Sequence, residues 1–319
     1  MTANGNNERE LLAGVDRPLR MGTRQSPLAM VQAEMAATAL LSAHGWRPEQ
    51  VELVPMVATG DKIQDRALAD VGGKALWTKE LDRALDEGDI DCAVHSMKDV
   101  ETLRPDTFVI AAMMERADIH DRLVGADSVE ALPQGAIVGT ASPRRRAQLL
   151  SQRSDLDIRL IRGNVQTRLK KIEDGEYAAT LLASAGLDRL DMNEVGQEIS
   201  EDVMLPAPAQ GAVGLEARTD ANHVRRLLKE ISCTRTSRAV TAERLFLKEL
   251  TADCHSPVAA LATVDGLRVN LRAEILLPDG SESISGASDF DSGDVKAPAR
   301  LARKLLGRAS AELKAIFGR

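Results

Sequence analysis

From Pro18 onward, short apolar runs alternate with amphipathic stretches, and this alternation limits the fold more than any other feature of the chain. The amphipathic stretches at 27–43 and 79–86 predict helices, the second opened by Thr78 and closed by Gly88. The apolar runs predict strands at 51–57, 91–94, 108–112, 136–139, 158–161 and 178–182. Alternating strands and helices favour α/β units with mainly parallel sheets.

The last part of the chain has a different pattern. Residues 236–250 predict a long helix, and 257–264 with 267–277 predict a pair of strands. A loop rich in Gly, Ser and Asp at 280–294 precedes a final helix at 297–316. These elements predict a compact α+β unit of about 80 residues. A chain of 319 residues is therefore expected to contain three units.

The composition excludes several classes of function. Aromatic residues make up only 2% of the chain, too few to stack the bases of a single-stranded nucleic acid. The net charge of −7 argues against a general binder of phosphate backbones. No apolar run is long enough to span a membrane, and the polar segment 1–17 predicts a loose tail rather than a signal peptide. We expect a cytoplasmic protein that binds neither nucleic acid nor membranes.

Common metal and nucleotide motifs are missing from the sequence. Cys92, Cys233 and Cys254 form no C-x-x-C pair, which excludes a disulfide framework and a zinc ribbon. The five histidines have no ligand-like spacing, so no metal site is expected. The Gly-Gly-Lys run at 72–74 lacks the other residues of a Walker loop, and no G-x-G-x-x-G follows a strand. A dinucleotide cofactor is therefore unsupported.

Two Ser-Pro turns follow apolar runs, one in each predicted α/β unit. Ser26 begins the first turn beside Arg24, and Ser142 begins the second beside Arg144. A serine N-cap followed by proline leaves free backbone N–H groups at the positive end of a helix dipole. Ordinary helix capping explains one such turn. Two of them, both with arginines, predict a cleft that holds an anionic ligand from two sides.

Basic residues concentrate between 144 and 171. This segment carries a net charge of +7, so the rest of the chain carries −14, and seven of its nine cations are arginines. The planar fork of arginine matches carboxylate and phosphate geometry. A solvated basic face is the alternative interpretation. However, Arg144, Arg145 and Arg162 follow predicted strands, where open α/β sheets bind ligands. A small ligand rich in carboxylates or phosphates is the better hypothesis.

Two further places offer reactive side chains. The strand at 91–94 runs into His95, Ser96, Lys98 and Asp99. Asp99 can act as a general acid or base or stabilise a cation, although polar residues after a strand also simply form turns, and His95 alone is more often structural. Cys254 lies between Asp and His on a predicted loop. It can be a nucleophile, an attachment point or an inert thiol.

A set of short motifs carries a resemblance to a known family. The motifs are, in chain order, TRQSPLA at 23–29, VGGK at 71–74, VHSMKDV at 94–100, VGT at 138–140 with Arg144 and Arg145, RGNV at 162–165, TRL at 167–169, QGAV at 210–213, TAER at 241–244 and Cys254. Together they resemble the porphobilinogen deaminases, also called hydroxymethylbilane synthases, from about residue 20 to the C-terminus.

The resemblance implies a fold and a domain order. It implies an α/β protein with two doubly wound domains that resemble two-domain solute-binding proteins, plus a small C-terminal α+β domain. The expected limits are 18–114 with 213–232 for domain 1, 119–206 for domain 2 and 235–319 for domain 3. A monomer is also implied.

The resemblance further implies a reaction. Four porphobilinogen molecules, each with an acetate and a propionate, are deaminated and joined head to tail into hydroxymethylbilane, with release of ammonia. The growing chain is held by a dipyrromethane cofactor attached by a thioether to Cys254, and Asp99 is the catalytic carboxylate. The implied cofactor-binding residues are Ser26, Ser96, Lys98, Thr140, Ser142, Arg144, Arg145 and Arg189. The implied substrate-binding residues are Arg24, Arg162 and Arg168.

Three positions depart from the usual family pattern. Ala141 replaces a hydroxyl residue, Glu101 stands where proline is common, and Asp253 stands where glycine often precedes the cysteine. An acid near an anion-binding cleft lowers affinity slightly, but none of the three replaces the main residues, so activity is expected to survive. The alternative hypothesis is a non-enzymatic two-domain anion-binding or sensor protein on the same scaffold. A nucleic-acid binder that uses the basic segment is a weaker one.

Overall fold

The computed structural model describes residues 17–57 and 78–318. Its strands are β1 (Leu19–Arg24), β2 (Val51–Met56), β3 (Cys92–Ser96), β4 (Phe108–Met113), β5 (Asp121–Val124), β6 (Ile137–Gly139), β7 (Asp157–Arg159), β8 (Ala179–Ala183), β9 (Gln197–Ile199), β10 (Val213–Arg218), β11 (Val258–Asp265), β12 (Arg268–Leu276) and β13 (Ser283–Asp291). Its α-helices are α1 (Pro27–His44), α2 (Lys79–Glu87), α3 (Pro143–Gln152), α4 (Val165–Glu173), α5 (Ser184–Asp188), α6 (Asn222–Lys229), α7 (Thr234–Leu250), α8 (Ala297–Arg308) and α9 (Ala311–Ile316). The strands and helices predicted before residue 183 are confirmed, with ends that differ by at most two residues.

Two five-stranded sheets share one topology. The first has the order β2-β1-β3-β10-β4 and the second the order β7-β6-β8-β5-β9. In each sheet the first three strands are parallel, and the fourth, β10 or β5, is antiparallel to both of its neighbours. Four of the five strands therefore run in one direction. The prediction of mainly parallel sheets within an α/β fold is confirmed.

The antiparallel strands mark where the chain passes between the sheets. The chain leaves the first sheet after β4, enters the second with β5, and returns with β10. The two crossing segments lie side by side, because the Ala117 N–H donates to the carbonyl of Gly211 (3.3 Å). Gly211 has φ +82°, and an added Cβ would lie 2.5 Å from the Ala117 carbonyl oxygen. Only glycine permits this close approach of the two segments.

The third unit is built on an antiparallel sheet of β11, β12 and β13, covered by α7 and α8. The predicted loop at 280–294 is wrong in its centre, where β13 forms. Its alternating exposed and inward residues are typical of a strand, but small polar side chains concealed the pattern. Gly286 makes room for α8, since an added Cβ would meet Leu305 at 2.9 Å. The predicted final helix is also divided, because Ser310 caps a separate helix α9 by accepting from the N–H of Leu313 (3.1 Å).

A buried carboxylate on α7 joins the third unit to the crossing segments. Glu243 is fully buried and accepts hydrogen bonds from Arg116 Nη1 (2.7 Å) and from the N–H groups of Ala209 (2.6 Å) and Ala262 (2.7 Å). A buried charge is tolerated only when it is paired and hydrogen-bonded. These contacts therefore fix the position of α7 and of the turn that follows it.

Some predictions fall on residues that the structure leaves undescribed. Residues 1–16 of the expected tail and the VGGK motif at 71–74 lie outside the described residues. Arg17, the last residue of that tail, forms an ion pair with Asp91 (2.7 Å). Within 17–57 and 78–318, no helix is both long and apolar enough to cross a membrane.

Candidate active site

A cavity of about 700 Å³ is lined by both mixed sheets and by the turn after α7. The residues that follow β1, β3, β6, β7 and β8 all contribute to its walls. The carboxyl ends of strands are where open α/β sheets bind ligands, and the volume lies in the range of small-molecule sites. Every residue to which the resemblance assigns a catalytic or binding role lines this cavity except Thr140. Thr140 is buried behind it and accepts a hydrogen bond from the Ser142 N–H (3.1 Å).

The two Ser-Pro turns form helix N-termini at the cavity wall. Ser26 caps α1 by accepting from the N–H of Ala29, and Ser142 caps α3 by accepting from the N–H of Arg145, both at 3.4 Å. Each cap is followed by proline at the start of its helix. Ordinary capping is therefore confirmed at both turns. The positive ends of both helix dipoles also lie beside the same cavity, which favours an anion there.

Arg144 and Arg145 line the cavity from buried positions and are bound to Asp121. Asp121 Oδ2 accepts from Arg144 Nη2 (2.7 Å), and Oδ1 accepts from Arg145 Nη2 (2.6 Å). Burial by itself raises the pKa of Asp121, but the two guanidinium groups outweigh burial and hold that pKa well below its usual range. The Nη1 atoms donate to the carbonyls of Leu205 (3.0 Å) and Leu181 (2.8 Å). The forked ends of both arginines are thus already engaged.

Four arginines keep a buried donor that meets no hydrogen-bond partner in the described part of the chain. These donors are the Nε groups of Arg144, Arg145, Arg162 and Arg189. Buried donors are almost always satisfied, so each orphan calls for an acceptor from outside the described residues. All four residues line the one cavity. The donor set therefore fits a ligand with several carboxylates, such as the dipyrromethane that the resemblance implies.

The cations of this wall are destabilised by burial. Burial lowers the pKa of Arg162 and that of Arg189. It lowers the pKa of Arg168 to about 10, and Arg145 and Arg162 add like-charge repulsion. Arg168 Nε donates to the Gly163 carbonyl (2.9 Å), and Arg189 Nη2 donates to the Gly211 carbonyl (2.8 Å). Since an anion would relieve both the desolvation and the repulsion, this wall is preorganised for negative charge.

Lys98 and Asp99 lie in a 3₁₀ turn, Met97–Asp99, directly after β3. The pKa of Lys98 is lowered to about 8, mainly by burial; Arg145 and Arg144 also lower it, and Asp99 and Asp121 partly oppose the shift. Within 17–57 and 78–318, the Asp99 carboxylate makes no hydrogen bond and no ion pair. Its negative charge nevertheless acts on Lys98 and Arg168, since it raises the pKa of both. This carboxylate is therefore available to a positive charge on a ligand.

The neighbours of these two residues have structural partners. Ser96 Oγ donates to Gln32 Oε1 (2.9 Å), and both residues line the cavity. His95 is buried, and its Nε2 lies 3.0 Å from Glu216 Oε2, which confirms the structural interpretation of that histidine. The departure at Glu101 is directed away from the cavity. It accepts a hydrogen bond from Arg104 (2.7 Å) and is not part of the cavity wall.

Cys254 is exposed in the turn after α7 and lines the cavity. Its Sγ lies 3.6 Å from Nδ1 of His255, and that nitrogen also lies 3.6 Å from Asp253 Oδ1. The nearby Asp253 carboxylate, and after it Cys254, raise the pKa of His255 to about 10. The departure at Asp253 therefore lines the cavity but is paired with a cation. The departure at Ala141 is exposed at the cavity.

Two residues that shape the site were missed by sequence reasoning. Asp121 holds both buried arginines, yet a lone carboxylate at the start of a strand gives no signal by itself. Arg244 lines the cavity, and its Nη atoms donate to the carbonyls of Val100 (3.1 Å), Glu101 (2.6 Å) and Thr102 (3.2 Å). It thereby holds the segment that follows Asp99. The TAER motif contained this arginine, but its spacing did not indicate what it contacts.

The cavity therefore combines an anion-binding wall, an unpaired carboxylate and an exposed thiol. Comparison with known families matches residues 19–226 to "Porphobilinogen deaminase, dipyromethane cofactor binding domain" and residues 237–308 to "Porphobilinogen deaminase, C-terminal domain". The chain is 53% identical over 314 residues to the porphobilinogen deaminase of Sphingopyxis alaskensis, covering 96% of this chain and 98% of that one. It is 46% identical to that of Paracoccus denitrificans, covering 92% and 96%.

The likeness to one solved structure that was compared is weaker. The VFT2 domain of Bordetella pertussis BvgS is 13% identical, covers 72% of this chain and 92% of its own, and gives a TM-score of 0.42. A likeness at that score carries no inference about function.

Proposed function

The chain belongs to the porphobilinogen deaminase family, and we propose that its cavity joins four porphobilinogen molecules into hydroxymethylbilane on a dipyrromethane primer attached to Cys254. The observation that carries this proposal is a single cavity lined by Asp99, Cys254 and the buried arginines. A two-domain anion sensor would need the arginines alone. The exposed thiol and the unpaired carboxylate favour the synthase.

Binding follows from the charges of the wall. Each pyrrole ring carries two carboxylates. The four arginines whose buried Nε–H groups have no partner among the described residues can donate hydrogen bonds to these carboxylates. We assign Ser26, Ser96, Lys98, Thr140, Ser142, Arg144, Arg145 and Arg189 to the primer. We assign Arg24, Arg162 and Arg168 to the incoming substrate. Ser26 and Ser142 act through the helix ends that they cap, and Thr140 acts through the turn that it supports.

Chemistry at the substrate centres on Asp99. When porphobilinogen loses its amino group, the ring becomes a cationic azafulvenium, and Asp99 stabilises that charge. The primer supplies the free pyrrole position to which the incoming ring is joined. Arg244 holds the carbonyls of residues 100–102, so the carboxylate stays at a fixed place in the cavity. Lys98 beside it binds a carboxylate while its amine is protonated.

Intact-mass measurement tests the attachment. The purified protein should be heavier than its sequence by one dipyrromethane, and Cys254→Ser should lack that added mass. Cys233→Ser is the matched control, because Cys233 is a half-buried thiol that does not line the cavity. An active protein with an unmodified Cys254 would contradict the attachment. A protein that is both unmodified and inactive would favour the anion sensor.

Turnover measurement tests the carboxylate. Asp99→Asn should keep the added mass and lose at least about a hundredfold in the rate of hydroxymethylbilane formation, which is the scale expected for electrostatic stabilisation of a developing charge. Asp106→Asn, at an exposed position outside the cavity, should turn over normally. Near-normal turnover by Asp99→Asn would show that another group carries the reaction.

A further inference from the structure

The turn that carries Cys254 contains a second functional arrangement. We propose that His255 is a catalytic residue for primer attachment: its Nδ1 takes up the thiol proton of Cys254 and stabilises the sulfur as a thiolate. This inference rests on the proposed function, because it concerns the thioether that holds the primer. It assigns a residue to the attachment step, which is separate from the polymerisation assigned to Asp99.

The geometry brings three groups together. Cys254 Sγ and His255 Nδ1 are 3.6 Å apart, within the reach of a hydrogen bond to sulfur. Asp253 Oδ1 lies 3.6 Å from the same Nδ1 and accepts the backbone N–H of His255 (2.9 Å). Ser256 Oγ accepts the N–H of Asp253 (3.1 Å), which closes the turn. The Nδ1 side of the imidazole therefore faces both the thiol and the carboxylate, so a proton on Nδ1 lies within reach of the sulfur.

The surroundings favour a positive imidazole. Asp253 and Cys254 face the ring from its own turn. The other charged groups of the wall include Arg244 on α7 and Lys98 with Asp99 after β3. Asp253 and Cys254 raise the pKa of His255 to about 10, so at neutral pH the ring holds the proton that it takes from the thiol. A thiolate beside an imidazolium is the reactive form of a cysteine.

The same cavity also holds the groups that would bring the reactant to the sulfur. The Nε donors of Arg144 and Arg145 are buried and orphaned within the described residues, so they need an anion at this place. An aminomethylpyrrole with carboxylate arms satisfies them and places its methylene carbon in the cavity that Cys254 shares.

The step balances without any further reactant. The thiol proton moves to His255 Nδ1, and the electron pair left on sulfur forms a bond to the methylene carbon of the aminomethylpyrrole. The bond between that carbon and the amino nitrogen breaks, and its electron pair leaves with the nitrogen as ammonia. The ammonia takes up the proton from His255 and departs as ammonium. One thiol and one protonated amine thus give one thioether and one ammonium ion.

The test follows loading of the full-length chain, produced without primer in cells that make no porphobilinogen. Porphobilinogen is added at pH 7, and the fraction that gains mass is followed with time. His255→Gln should load about tenfold or more slowly, the lower part of the range for a lost proton-transfer group. Asp253→Asn should slow loading less, because it lowers the proton affinity of His255 Nδ1 without removing the imidazole ring. His223→Gln, on α6 outside the cavity, should load at the wild-type rate.

A second readout separates thiolate formation from pyrrole binding. Iodoacetamide should alkylate Cys254 of the primer-free chain about tenfold faster in the wild type than in His255→Gln at pH 7, with the site identified by peptide mass. Equal alkylation rates would overturn the inference even if loading slows. Equal loading rates would overturn it directly. If the wild-type chain never gains mass with porphobilinogen, the proposed function itself fails, which is a distinct result.

Discussion

Replacing Asp121 by asparagine removes the one carboxylate that two buried arginines share. The amide keeps the size of the side chain but carries no charge, and its NH₂ group would face guanidinium donors. In the primer-free chain, on which unfolding is measured, Arg144 and Arg145 would then be buried cations that have lost the carboxylate that accepts from them at 2.7 and 2.6 Å. Gln210 Nε2 would also lose its charged acceptor at 2.9 Å.

The expected cost follows from the burial of all three groups. Removing one partner of a buried ion pair typically costs about 3–5 kcal/mol, because it leaves an uncompensated charge. Here two cations lose their partner, but each keeps a neutral carbonyl acceptor, Leu205 for Arg144 and Leu181 for Arg145. We therefore expect the free energy of unfolding to fall by about 3–5 kcal/mol. The melting temperature should fall by roughly 10 °C.

The assay is urea unfolding followed by circular dichroism, with Asp157→Asn as the matched control. Asp157 pairs with Arg159 at 2.6 Å, but both side chains are about half exposed, so its loss should cost no more than about 1 kcal/mol. Because the folded pKa of Asp121 lies below the ordinary 3.8, its stabilising effect is present above that value and is lost only as pH falls below it. The difference from wild type should therefore be constant from pH 5 to 9. A cost below 1 kcal/mol, or one equal to the control, would refute the reasoning.

Two further predictions concern titratable groups. Burial lowers the pKa of Lys98 from 10.5 to about 8, so the affinity of the primer-free chain for dipyrromethane should fall as pH rises through 8, by at most about 3 kcal/mol if the bound carboxylate restores the ordinary value. Calorimetry with the primer-free Cys254→Ser chain should show this dependence, and the same chain with Lys98→Met should not. His120 lies between Asp118 (2.8 Å) and Glu201 (2.9 Å), which raise its pKa against the effect of burial. Its stabilising effect is therefore present below 6.5 and lost as pH rises through the folded value, so by urea unfolding His120→Gln should cost roughly 1 kcal/mol at pH 5.5 and progressively less as pH rises through that value.

The sequence predicted the cavity wall well because strand ends are encoded locally. A run of apolar residues followed by a capping serine and a proline specifies where a strand stops and a helix starts. Ser26 and Ser142 lie in two such places, and parallel strands bring their carboxyl ends to one edge of a sheet. The residues after β3 reach the same cavity for this reason. The domain limits and the roles of the individual side chains stay predictions.

What the sequence did not predict depends on pairings between distant residues. Asp121 meets Arg144 and Arg145 across 23 and 24 positions, and Arg244 meets the carbonyls of residues 100–102 across more than 140. No spacing rule encodes such contacts, because they arise only when the crossing strands and α7 are packed. The strand β13 was missed for another reason. Its small polar residues are typical of turns, and only its position beside β12 makes it a strand.

The same pairings change how the basic segment is understood. Most cations between 144 and 171 have a carboxylate within 4.0 Å, so the net charge of the segment overstates the charge available to a ligand. Among the described residues, the cations of this segment without such a partner are Arg146, Arg162 and Arg168, and the last two line the cavity. Both also have a pKa lowered by burial. Arg162 and Arg168 therefore supply the uncompensated charge of this segment at the cavity, whereas Arg144 and Arg145 offer a ligand only their Nε donors. The carboxylates of a polypyrrole complete the pairing that the fold leaves open.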